Sequence, residues 1–160
     1  MEVKILGETA RILVVDDDES IRKALSAVLE DRGYVVDTAQ CGSEAIQKSK
    51  SSYYNLALID IRLPDMDGTK LLKALNDTLP PMVKIIVTGY PSLANAMEAV
   101  NKGADAYILK PLVMDYVLKT IREHLKKQQD ARKYSEERVA EFIETRAKEL
   151  EAEETAQRTR

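Results

Sequence analysis

Four apolar runs in this chain each end on a side chain suited to a phosphoryl group or its counter-ion. Val14-Val15 lead into Asp16-Asp17-Asp18, Leu58-Ile59 into Asp60, Ile86-Val87 into Thr88, and Tyr107-Ile108-Leu109 into Lys110-Pro111. As neighbouring parallel strands, these runs would bring carboxylates, hydroxyl and ammonium to one sheet edge, where open α/β sheets hold their ligands. Carboxylates there suit a hard divalent cation such as Mg²⁺, and a lysine beside them suits a phosphoryl oxygen. Crowded acids repel and raise the pKa of at least one member; a bound cation removes that repulsion and keeps positions for water and phosphate. The alternative role for acids, complementing a helix N-terminus, accounts for Asp18 and Glu19. It does not account for a buried run that closes on Asp60. Pro111 constrains the peptide that aims Lys110, with the cis form open to it.

The elements that must position these groups are legible from periodicity. Arg11 to Val15 reads as a buried strand. Glu19 to Arg32 carries Ile21, Ala24, Leu25, Val28 and Leu29 at helical spacing, and Gly33 fits a left-handed stop. Tyr34 to Thr38 is a second strand, and Gly42-Ser43-Glu44 opens a short helix with Ala45 and Ile46. Tyr54 to Asp60 is a third strand, apolar enough to be covered on both faces. Leu63 to Gly68 is turn-rich and leads to a helix through Leu71, Leu72 and Leu75, broken at Pro80-Pro81. Val83 to Val87 is the fourth strand. Pro91-Ser92 introduces a helix through Leu93, Ala96, Met97 and Val100, which Gly103 ends. Asp105 to Leu109 is the fifth strand, and the pattern is helical from Leu112. Strands alternating with helices imply an α/β fold, a doubly wound five-stranded parallel sheet covered on both faces.

Residues 1–10 read as an N-terminal arm in which Val3 and Ile5 are able to extend the first strand. Residues 11–127 form the domain, with Val113, Val117, Ile121 and Leu125 facing the sheet. Residues 128–160 read as a charged helical extension. From Leu112 onward there are eleven acidic and eleven basic side chains, so the segment is formally neutral, and no Gly or Pro follows Pro111 to stop a helix. Gln128, Arg132 and Ser135 interrupt the heptad seam begun by Leu118, Ile121 and Leu125. Two readings stand: a solvated extension, or a dimer-forming or output-transmitting helix.

Net charge over the 160 residues is −3, which gives no bulk attraction to nucleic acid or to a membrane surface. A single cysteine, Cys41, excludes an internal disulfide framework and reads as an inert thiol. No apolar run approaches a membrane span, and the N-terminus lacks a signal-peptide pattern. The expectation is a cytoplasmic protein.

From about Arg11 to Leu125 the sequence resembles the receiver domain of two-component response regulators. The matching residues are Val14-Val15-Asp16-Asp17-Asp18, Asp60 through Leu63-Pro64-Asp65-Met66-Asp67-Gly68, Thr88-Gly89-Tyr90, and Gly103 through Tyr107-Ile108-Leu109-Lys110-Pro111. The resemblance implies a flavodoxin-like sheet of strand order 2-1-3-4-5. It implies that Asp60 accepts a phosphoryl group from a sensor histidine kinase. Asp17 would bind Mg²⁺ directly, Asp16 would help through water, and the backbone carbonyl of Arg62 would complete the ligands. Thr88 would contact a phosphoryl oxygen, Lys110 would pair with the phosphoryl group, and Tyr107 would be a rotating aromatic switch. The face made by the fourth helix, fifth strand and last helix would respond. A homodimer through that face or through the last helix is open. Thr120 stands where one large transcription-factor subfamily has a basic residue, which argues against that subfamily's dimer. Such a domain is a phosphoacceptor rather than an enzyme acting on other substrates, and nothing after Leu125 resembles a DNA-binding or catalytic output domain.

Two other readings compete. Asp16-Asp17-Asp18-Glu19-Ser20 fits the Asp-x-Asp-x-Ser of haloacid-dehalogenase-like phosphatases, with Thr88 and Lys110 as later motifs; Asp60 then has no role and a late acidic pair is missing. A degenerate receiver would serve only as an interaction module, against which the intact acid, hydroxyl and lysine set argues. His124, the only histidine, reads as one face of an amphipathic helix rather than as a phosphodonor.

Overall fold

The computed structural model describes residues 4–5, 8–75, 78 and 80–159. A short antiparallel pair, β1 (Lys4–Ile5) with β2 (Glu8–Thr9), precedes the sheet. The strands β3 (Arg11–Val15), β4 (Val35–Ala39), β5 (Leu56–Asp60), β6 (Val83–Thr88) and β7 (Ala106–Leu109) lie in the order β4-β3-β5-β6-β7, every pair parallel. Counted within the sheet this is the expected order 2-1-3-4-5. The helices are α1 (Glu19–Asp31), α2 (Gly42–Ser51), α3 (Gly68–Ala74), α4 (Leu93–Asn101) and α5 (Met114–Arg158).

Alternation along each strand sends side chains to opposite faces. Ile12, Val14, Leu56, Leu58, Ile85 and Val87 pack with Leu25 and Leu29 of α1 and with Val117, Ile121 and Leu125 of α5. Leu13, Val15, Ala57, Ile59 and Ile86 pack on the other face with Ala45, Leu71, Leu72 and Ala99. The central strand β5 is buried at every residue, as its unbroken apolar run requires. Caps fix where the helices start. Asp18 accepts from Ser20 N and Ile21 N, Asp67 from Thr69 N, and Ser92 from Asn95 N. Gly33 at φ 90° and Gly103 at φ 97° make the left-handed exits from α1 and α4.

Several expectations are corrected. Ile5 belongs to the β1–β2 pair instead of lengthening the first sheet strand, and Val3 lies outside the described residues. Helix α3 stops at Ala74, where Leu75 already has extended dihedrals, so Pro80-Pro81 does not end it. Val113 is exposed, and Leu118 is buried in the α5 contact instead. In α4 the stripe Leu93, Met97 and Val100 faces solvent and Ala99 is the buried residue. Helical spacing identified that stripe but not which way it turns.

The chain divides into compact units Met1–Gln128 and Gln129–Arg160. Gln128 breaks the heptad seam because it has another task. Its Nε2 donates to Asn55 O (2.9 Å) and Pro81 O (2.7 Å), and its Oε1 accepts from Asn55 Nδ2 (3.4 Å). Asn55 Oδ1 in turn accepts from Arg11 N (2.8 Å). This buried network fastens α5 to the edge of the sheet opposite the strand ends that carry the acids. Replacing Gln128 by leucine removes the partners of the Pro81 carbonyl and the Asn55 amide. The expected loss is about 1–3 kcal/mol in urea unfolding, and an unchanged midpoint would show that the network contributes nothing.

Candidate functional site

The parallel register brings the carboxyl ends of β3, β5, β6 and β7 to one edge. Asp60 pairs laterally with Val87, and Thr88 with Leu109. Asp16 follows β3 directly; its backbone N–H donates to Ala39 O (3.1 Å), and its own carbonyl accepts from Arg22 Nη1 (2.7 Å). Asp16 Oδ1 accepts from Asp18 N (2.9 Å). Asp60 closes β5, and its Oδ1 accepts from Arg62 N (3.3 Å). Lys110 follows β7, anchored by its N–H to Thr88 O (2.8 Å), with a cis peptide to Pro111.

Lys110 Nζ donates to Asp16 Oδ2 (2.9 Å) and to Asp60 Oδ2 (3.2 Å). The two acids are only 3% and 6% exposed, and this ammonium balances their charge. Burial, then the neighbouring Asp16 charge, pushes Asp60 above the usual carboxylate range against the pull of Lys110. Burial draws the Lys110 ammonium down, but the hydrogen bond and charge of Asp16, then Asp60, outweigh it and leave its pKa raised.

Asp17 is exposed and completes a cluster with Asp16 and Asp60 in which one oxygen from each lies within 4.8 Å of the others. Three hard oxygen donors open to water on one side fit Mg²⁺, which keeps several waters and takes few carboxylates. Thr88 is fully buried at the end of β6, and its Oγ1 accepts from Tyr90 N (3.0 Å). Tyr107 on β7 packs partly buried against the face that holds Ile86 and Ala99; burial raises its phenol pKa, with the Ser92 backbone acting in the opposite direction.

The structure therefore brings Asp16, Asp17, Asp60 and Lys110 into one constellation. Thr88 joins it through the Lys110 backbone, while Tyr107 stands on the neighbouring strand. Asp18, which a phosphatase motif would need as a second acid, is occupied as the α1 cap. The two ring nitrogens of His124 lie against the carbonyls of Thr120 (2.9 Å) and Asp105 (3.3 Å), a structural placement. Cys41 is half-buried, with Sγ 3.3 Å from Ser43 Oγ.

Sequence reasoning named several residues within motifs without finding their supporting roles. Asp65 accepts from Gly42 N (2.8 Å) and Ser43 N (2.9 Å), so the loop after Asp60 caps α2, whose own N-cap, Cys41, makes no side-chain cap bond. A Cβ on Gly68 would come within 2.2 Å of the Asp60 carbonyl oxygen, so only glycine lets α3 start this close to the acid. The guanidinium of Arg62 lies 3.5 Å from the centre of the Tyr90 ring, joining the loop after Asp60 to the loop after Thr88. None of these has a signal in periodicity: Asp65 and Arg62 touch loops distant in sequence, and Gly68 folds back on the acid eight residues before it.

Comparison with known proteins places this geometry. The family description "Response regulator receiver domain" matches residues 12–122. The transcriptional regulatory protein ZraR of Klebsiella oxytoca is 40% identical over 119 residues, 74% of this chain and 27% of ZraR. This chain thus spans about a quarter of that relative's length. A CheY-like receiver domain from Methanospirillum hungatei JF-1 superposes with a TM-score of 0.74 at 45% identity, covering 76% of this chain and 98% of that one. A response regulator from Burkholderia pseudomallei, solved with a phosphorylated aspartic acid, calcium ion and citrate, gives 0.67 at 31% identity, covering 76% and 72%.

Proposed function

The chain belongs to the response regulator receiver family, and from that premise we propose that Asp60 accepts a phosphoryl group from the phosphohistidine of a sensor histidine kinase. The observation that carries the proposal is the Lys110 ammonium held between Asp16 and Asp60, beside Asp17. A carboxylate oxygen of Asp60 attacks phosphorus in line as the P–N bond breaks; the electron pair leaves on the donor's imidazole nitrogen, and an acyl phosphate forms. Lys110 pairs with an equatorial phosphoryl oxygen as charge builds there. Asp17, Asp16, Asp60 and the Arg62 carbonyl are the groups that would hold Mg²⁺, which when bound neutralises phosphoryl charge. The Thr88 hydroxyl leaves Tyr90 N for a new phosphoryl oxygen, and the Tyr107 ring fills the space behind it.

The response reaches the surface of α4, β7 and the start of α5, where Leu93, Met97, Val100, Leu109, Val113 and Tyr116 are all exposed. An apolar face of this kind suits a protein partner. The receiver occupies residues 11–127 and the helical extension 128–160. A homodimer forms through the α4-β7-α5 face or through α5. The domain acts only on its own phosphoryl group and makes no direct nucleic-acid contact. No helix among the described residues is long and apolar enough to cross a membrane, and we place the chain in the cytoplasm.

The test is chemical. The wild-type chain with Mg²⁺ and a small phosphoramidate should gain one phosphoryl group that hydroxylamine removes, as an acyl phosphate requires. A metal chelator should prevent the gain. A chain that stays unmodified would instead be a degenerate interaction module.

A further inference from the structure

We propose that the Gln129–Arg160 segment pairs with the same segment of a second copy in antiparallel orientation, Val139 lying across from Leu150. This gives a geometry to the α5 dimer proposed above. It does not depend on phosphorylation of Asp60, so the two readings fail separately.

The segment carries an apolar stripe that nothing in its own unit covers. Val139, Phe142, Ile143 and Leu150 are 58, 73, 61 and 46% exposed. At about 100° per residue Val139, Ile143 and Leu150 fall within about 40° of one another, with Phe142 about 60° to one side. The rest of the surface is charged and braced within the chain by Arg132–Glu136, Lys148–Glu144 and Arg146–Glu149. Such pairs contribute only a few tenths of a kcal/mol each, too little to hold a polar helix in water without a partner for its stripe.

Charge order selects the partner and its direction. Arg132, Lys133 and Arg138 precede the stripe among Asp130, Glu136 and Glu137, and Glu149, Glu151, Glu153 and Glu154 end or follow it ahead of Arg158. Two parallel copies would set the glutamates beside their equals and Arg132 and Lys133 beside theirs. Turning one copy around, with the two-fold axis between residues 144 and 145, sets Val139 against Leu150, Arg138 against Glu151 and Glu141 against Lys148. Ile143 then meets Arg146, whose guanidinium is drawn aside by Glu149 (2.9 Å), leaving its methylene stem as cover. Glu136 meets Glu153 in this register, which confines close contact to about residues 139–150.

The test uses the full 160-residue chain without phosphodonor. In a Cys41→Ser background, Val139→Cys and Leu150→Cys chains are mixed and oxidised; a disulfide needs Cα atoms about 4.4–6.8 Å apart. The mixed 139–150 disulfide should predominate over both same-site products. Sedimentation should show wild-type chain rising with concentration toward twice its 18.0 kDa mass, and Ile143→Glu should return it to single-chain mass. Predominant same-site disulfides would overturn the proposal in favour of parallel pairing. A wild type that stays at single-chain mass into the high micromolar range, or a dimer that Ile143→Glu leaves intact, would also overturn it.

Discussion

Asp60→Asn will abolish phosphoryl acceptance and, in the same protein, make the metal-free fold more stable at neutral pH. The first effect follows because an amide oxygen is a poor nucleophile for the in-line attack, so labelling should drop to background with Mg²⁺ and a phosphodonor present. The second follows from the environment of the carboxylate. Burial and the adjacent Asp16 raise the Asp60 pKa above its ordinary value. A group raised in the fold contributes stability that is complete below its unfolded pKa and is lost as pH rises through the folded value. With chelator present, wild-type stability should therefore decline from about pH 4 upward through that raised value. The Asn variant should lack this component and unfold later at pH 7. Acceptance in the variant equal to wild type would show that another residue carries the phosphoryl group. A variant less stable than wild type at pH 7 would show that the Lys110 attraction outweighs burial at this site.

Lys110→Met will be the more damaging change to the metal-free fold. It leaves the Asp16 and Asp60 carboxylates buried side by side with no cation paired to either among the described residues. Removing one partner of a buried ionic group costs about 3–5 kcal/mol, and we expect the lower end because the Lys110 side chain retains some contact with solvent. The Asp60 carboxylate, already raised, then moves further upward, so the deficit is small near pH 4, where that group takes up a proton, and full at pH 7. Mg²⁺ should restore part of the loss, since three oxygens remain to hold it. Urea unfolding at both pH values, with and without Mg²⁺, reads all of this. Wild-type stability without metal would mean that the two acids are not balanced through Lys110.

The sheet and its site were legible because both are written in strand ends. Apolar runs closing on Asp16, Asp60, Thr88 and Lys110 state their own position in a parallel sheet, and the matching loops named the family. The direction of α4 was not legible. Leu93, Met97 and Val100 repeat at core spacing, yet the sheet takes Ala99 and leaves the larger residues outside. Gln128 was misread for the converse reason. A polar residue in a seam looks like an interruption until Asn55 and Pro81, far away in the chain, supply its partners. Gly68 and Asp65 were quoted within a motif, but their physical roles depend on loop contacts that no periodicity encodes.

The hydrogen bonds of Lys110 reach back 94 residues to Asp16 and 50 to Asp60. A nascent or partly folded chain therefore holds acids with no ammonium between them until the last strand docks beside β6. The acids gain their counter-charge only through closures of long sequence separation, the kind of contact whose loop entropy must be met before it stabilises anything.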